Sequence, residues 1–308
     1  MSVSPHSTYT GYCRAIAEIE REHPEVVFLE AGAARTASQP HVTADLAEQT
    51  MILAAAGLAL TGKRVFVSAL ASPTYIARSY EQIRSAIAIP GLGVVLSSVQ
   101  DGKTLNRDGA VRQMNEDFAL MRVLPRMTVL SPADMQSAYR LTLQLASLPG
   151  PAYIRLSRMV TAEIYDADDF DFHAGGARLL SEGDGVTICA NGIMVGEALR
   201  AAAVLSQQGI EADVIDCYSI KPFPEELLLA SVRRTGCCVV AEKHMGVAGL
   251  YGAVAECLCR SYSVPVRNIA IDDDFGQSGM PDELQEYYGL THREIVHNVV
   301  QVLAMRRR

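Results

Sequence analysis

Residues Leu46 to Leu60 read LAEQTMILAAAGLAL, and this stretch largely decides how the chain is interpreted. Its apolar residues occupy nearly every side of a helical wheel, which is typical of an enclosed helix rather than a surface helix. Glu48 stands near its start, and burying an unpaired carboxylate is costly. We therefore expect Glu48 to be neutral, paired or functional.

The segments around this helix alternate between strand-like and helical periodicity. A helix is predicted over Thr8 to Glu22, and Ser131 with Pro132 is typical of a second helix start. Predicted strands of the first half begin near Val26, Arg64, Gly93, Thr128 and Pro151. This alternation predicts an α/β fold with a mostly parallel sheet flanked by helices, and active positions on loops at the carboxyl ends of the strands.

The composition changes over residues 162–185, where AEIYDADDFDFHAGGARLLSEGDG replaces the apolar runs with acidic residues and glycine. The strand and helix alternation then resumes at Val186. We predict two α/β domains, residues 1–161 and 186–308, joined by a linker at 162–185.

Charge and hydropathy exclude several classes of function. The formal net charge of −8 argues against a nucleic-acid surface, and the closing Arg306, Arg307 and Arg308 are typical of a solvated tail. Apolar runs are interrupted before they reach the roughly 20 residues of a membrane span, and the start lacks a basic region followed by an apolar one, so we expect a cytoplasmic chain without membrane contact. Seven cysteines without a C-x-x-C pair favour buried free thiols over disulfides, and they give no support for a metal site.

Several ordered motifs together resemble the carboxyl-terminal two-thirds of transketolase. They are LAEQTMILAAAGLALTGKRVFVS, YEQIRSAIA, EDFALMRVLPRMTVLSPAD, PAYIRLSR, ICANGIMVGEALRAA, IDCYSIKPFPEELL and FGQSGMPDELQEYYGLT. The chain looks like the separate C-terminal subunit of a split transketolase, with a pyrimidine-binding domain followed by the transketolase C-terminal domain. The resemblance implies thiamine diphosphate as cofactor.

By this resemblance, Glu48 matches the catalytic glutamate that contacts the aminopyrimidine ring nitrogen of the cofactor. A carboxyl group that stays protonatable in an apolar setting can share a proton with that nitrogen. Without the resemblance, Glu48 reads as a helix-start or salt-bridge residue. The ring itself usually stacks on a phenylalanine that this chain lacks, and Tyr75 is the residue that we expect to replace it.

In the family, the cofactor diphosphate is held through a metal ion, bound by a GDG motif and an asparagine roughly 25 to 30 residues later. Gly183 to Gly185 spell GDG here, but Asn191 is too near and Asn268 too far, so we predict a polar turn before the strand VTICA. The ligands of Mg²⁺ or Ca²⁺ are therefore expected on a partner chain, an N-terminal transketolase subunit with the pyrophosphate-binding domain. This chain alone would be an incomplete enzyme.

Substrate contacts are expected in LSSVQDGKTLNRDGAVRQMNED. Two histidines that relatives direct at the sugar are replaced by Gln100 and Arg112, and arginine is a permanent donor suited to phosphate or carboxylate. Asp108 reads either as a contact to a substrate hydroxyl or as a turn-forming Asp-Gly, and Arg112 either as functional or as a surface residue. Arg158 matches the arginine of the family for the sugar phosphate, with an ion pair as the alternative.

In the second domain, Asp216, Lys221 and His244 fall in matching stretches, and we favour structural roles for them.

The leading hypothesis is a subunit of a heteromeric transketolase that moves a two-carbon ketol unit between sugars, phosphorylated or specialised, with two copies of each chain. The alternatives are a subunit using a 2-oxo acid, similar to 1-deoxyxylulose-5-phosphate synthase or to the beta subunit of 2-oxo acid dehydrogenases, and a non-catalytic homologue that stabilises a partner.

Overall fold

The computed structural model describes residues 6–30, 41–43, 48–69, 73–99, 109–166 and 172–306. The helices are α1 (Thr8–Glu22), α2 (Glu48–Leu60), α3 (Tyr75–Arg78), α4 (Tyr80–Gln82) with the π-helical segment Ile83–Ala88 after it, α5 (Asp117–Val123), α6 (Met135–Ser147), α7 (Met194–Ser206), α8 (Glu225–Thr235), α9 (Leu250–Ser261), α10 (Pro281–Tyr287) and α11 (His292–Met305). The strands are β1 (Val27–Glu30), β2 (His41–Thr43), β3 (Val65–Ser68), β4 (Val94–Val99), β5 (Thr128–Leu130), β6 (Ala152–Leu156), β7 (Arg178–Ser181), β8 (Val186–Ala190), β9 (Ala212–Asp216), β10 (Ser219–Lys221), β11 (Cys238–Met245) and β12 (Val266–Ile271).

These strands form two mostly parallel sheets, which confirms the predicted α/β class with two domains. The first sheet has the order β10-β5-β6-β4-β3-β1-β2, and the second has the order β12-β11-β8-β9-β7. Only β10 on β5 and β7 on β9 pair antiparallel among the described strands. Central strands such as β3, β4 and β8 are buried along their whole length, as expected for parallel strands covered by helices on both faces.

Three short edge strands, β2, β7 and β10, were not predicted from the sequence. β7 lies inside the segment 162–185 predicted as a linker, and β10 comes from the second half of the chain but joins the first sheet beside β5. Lys221 of β10 donates from Nζ to the carbonyl oxygens of Arg122, 2.8 Å away, and Leu124, and so satisfies the end of α5. Through β10, the second half of the chain therefore forms part of the first sheet.

The helix α2 is enclosed on one face only. Its buried residues are Met51, Ile52, Ala55, Ala56 and Ala59. The opposite face carries Leu53, which is 52% exposed, and Leu60, which is 71% exposed. The expectation of a helix enclosed on all sides is therefore wrong for the single chain, because nothing in the described part of this chain covers the outer apolar face.

The helix α6 begins three residues later than Ser131 and Pro132 predicted. Asp134 is its cap, since its Oδ1 accepts a hydrogen bond from the Ser137 backbone N–H at 2.8 Å and the Ser137 hydroxyl accepts one from the Asp134 N–H at 3.0 Å. Asp134 Oδ2 also accepts hydrogen bonds from the N–H groups of Ile164 and Tyr165, both at 2.9 Å. Asp134 therefore caps α6 in place of the expected Ser131, and it also holds the backbone at Ile164 and Tyr165.

Five of the seven cysteines are buried free thiols, as expected, whereas Cys13 is half-buried and Cys259 is exposed. Among the described helices, none is long and apolar enough to cross a lipid bilayer.

Candidate cofactor and substrate site

Glu48 is the first residue of α2, where the positive end of the helix dipole favours a carboxylate. Its side chain is only 14% exposed, and Oε2 lies 3.4 Å from Nη1 of Arg78. The Arg78 side chain is itself 61% exposed, so water screens this ion pair. Gln49 fixes the start of the helix, because its side-chain amide donates to the carbonyl oxygen of Arg78 at 2.9 Å. Within the described part of the chain, the Glu48 carboxyl group thus has one weak partner that a ligand can displace.

Beneath this helix start lie three buried hydroxyl groups, those of Tyr75, Ser97 and Tyr12. Tyr75 donates from its hydroxyl to the Ser97 carbonyl oxygen at 3.1 Å, and the Ser97 hydroxyl donates to the Tyr12 hydroxyl at 3.1 Å. Burial raises the pKa of Tyr75 well above its usual value, and the negative charge of Glu48 adds to this shift. Tyr75, at the start of α3, therefore lies near the start of α2 and Glu48, and it is a neutral phenol.

The Tyr75 side chain is fully buried and exposes no ring face in this conformation. Stacking on a cofactor ring would require it to leave its packing and its hydrogen bond to Ser97, so the stacking role stays a prediction that this geometry does not favour.

The expected substrate residues are only partly described. Gln100 and Asp108 lie outside the described residues. Arg112 is exposed and lies in a turn in which its backbone N–H donates to the Gly109 carbonyl oxygen at 3.1 Å. Next to it, Gln113 donates from its side chain to the Gln277 carbonyl oxygen at 2.8 Å. The second domain therefore helps to hold the segment on which Arg112 stands.

Arg158 follows the carboxyl end of β6 by two residues and is half-buried. Its guanidinium carbon lies 4.9 Å from the ring centre of Tyr9 on α1, a cation–π contact. Its Nε is buried and has no hydrogen-bond partner within the described part of the chain. A donor of this kind suits an anionic group, and the phosphate role of Arg158 stays a prediction.

A buried charged network at the boundary of the two domains was missed by the sequence analysis. The carboxylate of Asp117, on α5, accepts two hydrogen bonds from Arg155 of β6, one from Nε at 2.8 Å and one from Nη2, and a further one from the Tyr153 hydroxyl. Arg155 also donates to the Lys243 carbonyl oxygen of the second domain and lies 3.9 Å from the ring centre of Phe118. The one available signal was an arginine inside the otherwise apolar strand AYIRL.

His244 extends this network but has no catalytic geometry. It is fully buried and stacks on Phe118, with ring centres 5.1 Å apart. Burial, with Arg155 adding to it, lowers the pKa of His244 to about 4, so the ring is neutral. Nδ1–H donates to the Met245 carbonyl oxygen at 2.7 Å, and Nε2 accepts from the Ala119 N–H at 3.4 Å. The contacts agree with the structural role expected for His244.

Glu242 caps the start of α9. It is fully buried and accepts hydrogen bonds from the backbone N–H groups of Leu250 at 2.7 Å and Tyr251 at 2.8 Å. Burial raises the pKa of this carboxyl group to about 7 despite these two donors. Its contacts are those of a helix cap.

Asp216, at the carboxyl end of β9, is also fully buried. Its Oδ2 accepts a hydrogen bond from the Tyr165 hydroxyl at 2.8 Å, and Oδ1 has no partner among the described residues. Burial raises the pKa of Asp216 to about 8; the Tyr165 hydrogen bond opposes this shift and the charge of Asp134 adds to it. At neutral pH the group is therefore mainly protonated.

This shift predicts how stability depends on pH. The unfolded chain loses the Asp216 proton near its ordinary pKa of 3.8, whereas the folded chain keeps it until about pH 8. The folded state thus binds more protons in this window, and the free energy of unfolding falls as the pH rises. Asp216→Asn keeps the neutral shape and removes the titration. Relative to this variant, the wild type should lose roughly 1 kcal/mol per pH unit between pH 5 and pH 7 in urea titrations. If the free energies of unfolding of the two proteins changed in parallel with pH, the raised pKa assigned to Asp216 would be wrong.

The GDG sequence forms a bend between β7 and β8, as predicted. The Gly183 N–H donates to Oδ1 of Asp213 at 2.8 Å, and a Cβ on Gly183 would meet the backbone of Glu211 at 2.3 Å. Glycine is needed here for close packing. In the described ranges no group of three or more His, Cys, Asp or Glu side chains could hold a metal ion.

Two family models match the chain. The transketolase pyrimidine-binding domain matches residues 6–162, and the transketolase C-terminal domain matches residues 175–295. The chain belongs to the transketolase family. This confirms the resemblance found in its sequence motifs, and the two matched domains are the two α/β units seen in the fold.

Three curated relatives and one solved structure are similar to this transketolase chain. A putative transketolase C-terminal section of Methanocaldococcus jannaschii is 36% identical over 302 residues and 94% of each chain. A 6-deoxy-6-sulfo-D-fructose transketolase subunit of Clostridium sp. is 41% identical, over 83% of this chain and 79% of the relative. An apulose-4-phosphate transketolase subunit of Phocaeicola vulgatus is 34% identical, over 84% of this chain and 83% of the relative. A solved split-gene transketolase, described as an inactive beta4 tetramer, superposes with a TM-score of 0.89 at 37% identity and covers 98% of this chain and 99% of its own.

Proposed function

We propose that this chain is the C-terminal subunit of a two-chain, thiamine-diphosphate-dependent transketolase that transfers a two-carbon ketol unit between sugars. The observation that carries the proposal is the Glu48 carboxyl group. It stands at the start of α2 in a pyrimidine-binding domain, mostly buried, and its one partner among the described residues is weak and displaceable.

Glu48 fits the cofactor chemically. When bound, thiamine diphosphate supplies a thiazolium that accepts the electron pair released by carbon–carbon cleavage. Glu48 would hold a proton at the ring nitrogen of the aminopyrimidine, which requires an oxygen that is both accessible and fixed in position. Its position at the helix start and its 14% exposure meet both conditions.

A second polypeptide is proposed to complete the site. The matched domains are the pyrimidine-binding and C-terminal domains, and the similar proteins are named as a section, as subunits and as a split-gene product. We place the ligands of Mg²⁺ or Ca²⁺, and the rest of the diphosphate site, on an N-terminal transketolase subunit. The exposed apolar residues Leu53 and Leu60 of α2 support a further contact between chains, and two copies of each chain satisfy the usual two-fold symmetry.

The sugar is proposed to carry an anionic group. Two similar subunits are named for a sulfonated sugar and for a sugar phosphate. In this chain, Arg158 supplies a cation and a buried Nε that has no partner among the described residues, and the exposed Arg112 supplies further donors for such a group.

Calorimetric titration tests the proposal. Thiamine diphosphate with Mg²⁺ is titrated into this chain, into a co-purified candidate partner and into their mixture. We expect saturable binding only in the mixture, with one cofactor for each copy of this chain, and the mass of the mixed complex then gives its stoichiometry. Tight binding to this chain alone would refute the assignment of the missing half to a partner.

A further inference from the structure

The second sheet has a topological switch point that the proposed activity does not use. From β8 the chain continues to β9 on one side, and it then crosses to β11 on the other side of β8. In open parallel sheets, ligands bind outside the carboxyl ends of the strands at the position where the strand order reverses. In this sheet, that position lies between β8 and β11.

A cavity of about 30 Å³ lies at this position. Asn191 and Gly192 follow the end of β8, and Lys243 stands in the last part of β11. From the first domain, Ser131 and Ser157, which follow β5 and β6, close the opposite wall. The volume corresponds to roughly two water molecules, or one small oxyanion.

Asn191 lines this space and carries a buried side-chain donor. The residue is 2% exposed, and Nδ2 has no hydrogen-bond partner in the described part of the protein. A buried donor without a partner is costly, and the cost disappears when an acceptor occupies the cavity. Gly192 permits the close approach of the two domains, since a Cβ there would lie 3.1 Å from the Ser131 hydroxyl oxygen.

The other groups around the cavity favour a negative ligand. The 13-residue helix α7 begins at Met194, directly after the lining residues Gly192 and Ile193. The N–H groups of Gly192, Met194 and Val195 already donate to backbone carbonyl oxygens, so this helix end favours an anion through its dipole. Lys243 lines the cavity and contributes a positive charge there; its ammonium group lies 3.8 Å from the Met159 sulfur. Arg155 also lines the cavity, and its guanidinium is paired with the Asp117 carboxylate.

We propose that this cavity is a binding site for one small oxyanion, a phosphate or a carboxylate group, held by Asn191, Lys243 and the amino end of α7 in the second domain against Ser131 and Ser157 of the first domain. The ligand satisfies the Asn191 amide and contacts both domains at once. The site belongs to this chain alone and requires neither cofactor nor partner, so its test is independent of the proposed activity.

The test is a thermal-unfolding titration of the full chain with inorganic phosphate and, in a parallel series, with acetate, at constant ionic strength against chloride. Binding to the folded state alone raises the midpoint in a saturable way. Asn191→Leu replaces the amide with an apolar group of similar shape, and Lys243→Met removes the charge. Lys63→Met, at an exposed position, is the control for the change in net charge.

We expect a saturable rise with at least one anion for the wild type and Lys63→Met, and an affinity at least tenfold weaker for Asn191→Leu and Lys243→Met. The same rise in all four proteins would mean a general salt effect and overturn the proposal, as would no saturable rise with either anion. Crystals of the wild type soaked in selenate give a second readout that needs no variant. Anomalous signal in the cavity supports the site, and ordered water alone in the cavity contradicts it.

Discussion

Glu48→Gln should lower ketol transfer by the reconstituted complex by a factor of about 10² to 10⁴, the usual contribution of a positioned acid–base group. Glutamine has nearly the same shape and can still hydrogen-bond to a ring nitrogen, but it cannot exchange a proton with it. We therefore expect cofactor binding to persist in calorimetry while turnover is lost. Turnover is measured as the steady-state rate with saturating cofactor and an anionic ketose donor.

The matched control is Glu225→Gln, because Glu225 is likewise the first residue of a helix, α8. Its carboxylate forms an exposed ion pair with Arg260 at 2.6 Å, so this variant loses a comparable helix-end charge with no effect on the proposed site. Full activity of Glu48→Gln would remove the catalytic assignment. Equal losses of activity in both variants would show that the effect comes from the lost charge at a helix end rather than from lost proton transfer.

The periodic elements were predictable because their hydrophobic patterns are local. The helix predicted over Thr8 to Glu22 has those bounds in α1, and the predicted strand RVFVSAL contains β3. The edge strand β7 was not predictable in this way, because all four of its residues are half-buried and show no alternation. The three-residue strand β10 depends on β5, which is distant in sequence, and no local pattern specifies such a pairing.

The position of Glu48 was likewise predictable, since an acidic residue at the start of an apolar helix is visible in the sequence. Its pairing with Arg78, 30 positions later, depends on how α2 and α3 meet in three dimensions. For Tyr75, the stacking role stays a prediction, and the geometry does not favour it. Its ring type suggested stacking on a ligand, but the fold buries it and uses its hydroxyl for Ser97. Residue type alone does not tell whether an aromatic side chain faces a pocket or the core.

Arg155→Met should be the most destabilising of these substitutions, because it leaves the fully buried Asp117 carboxylate without its bidentate partner. Breaking a buried ion pair by removing one member typically costs about 3 to 5 kcal/mol. The Tyr153 hydroxyl remains as a donor but cannot compensate a negative charge. The change also removes the hydrogen bond to the Lys243 carbonyl oxygen and the contact with Phe118, so both domains lose a shared contact.

The free energy of unfolding is measured by urea titration in chloride buffer with circular dichroism, since the chain has no Trp. Arg260→Met is the matched control, because it removes one member of an exposed pair in which Arg260 is 63% and Glu225 is 43% exposed, and it should cost about 0 to 1 kcal/mol. The double variant Asp117→Asn with Arg155→Met should recover part of the loss, since it no longer buries an unpaired charge. If both single variants cost the same, the network at the domain boundary contributes no more than a surface ion pair, and its charges are solvated in solution.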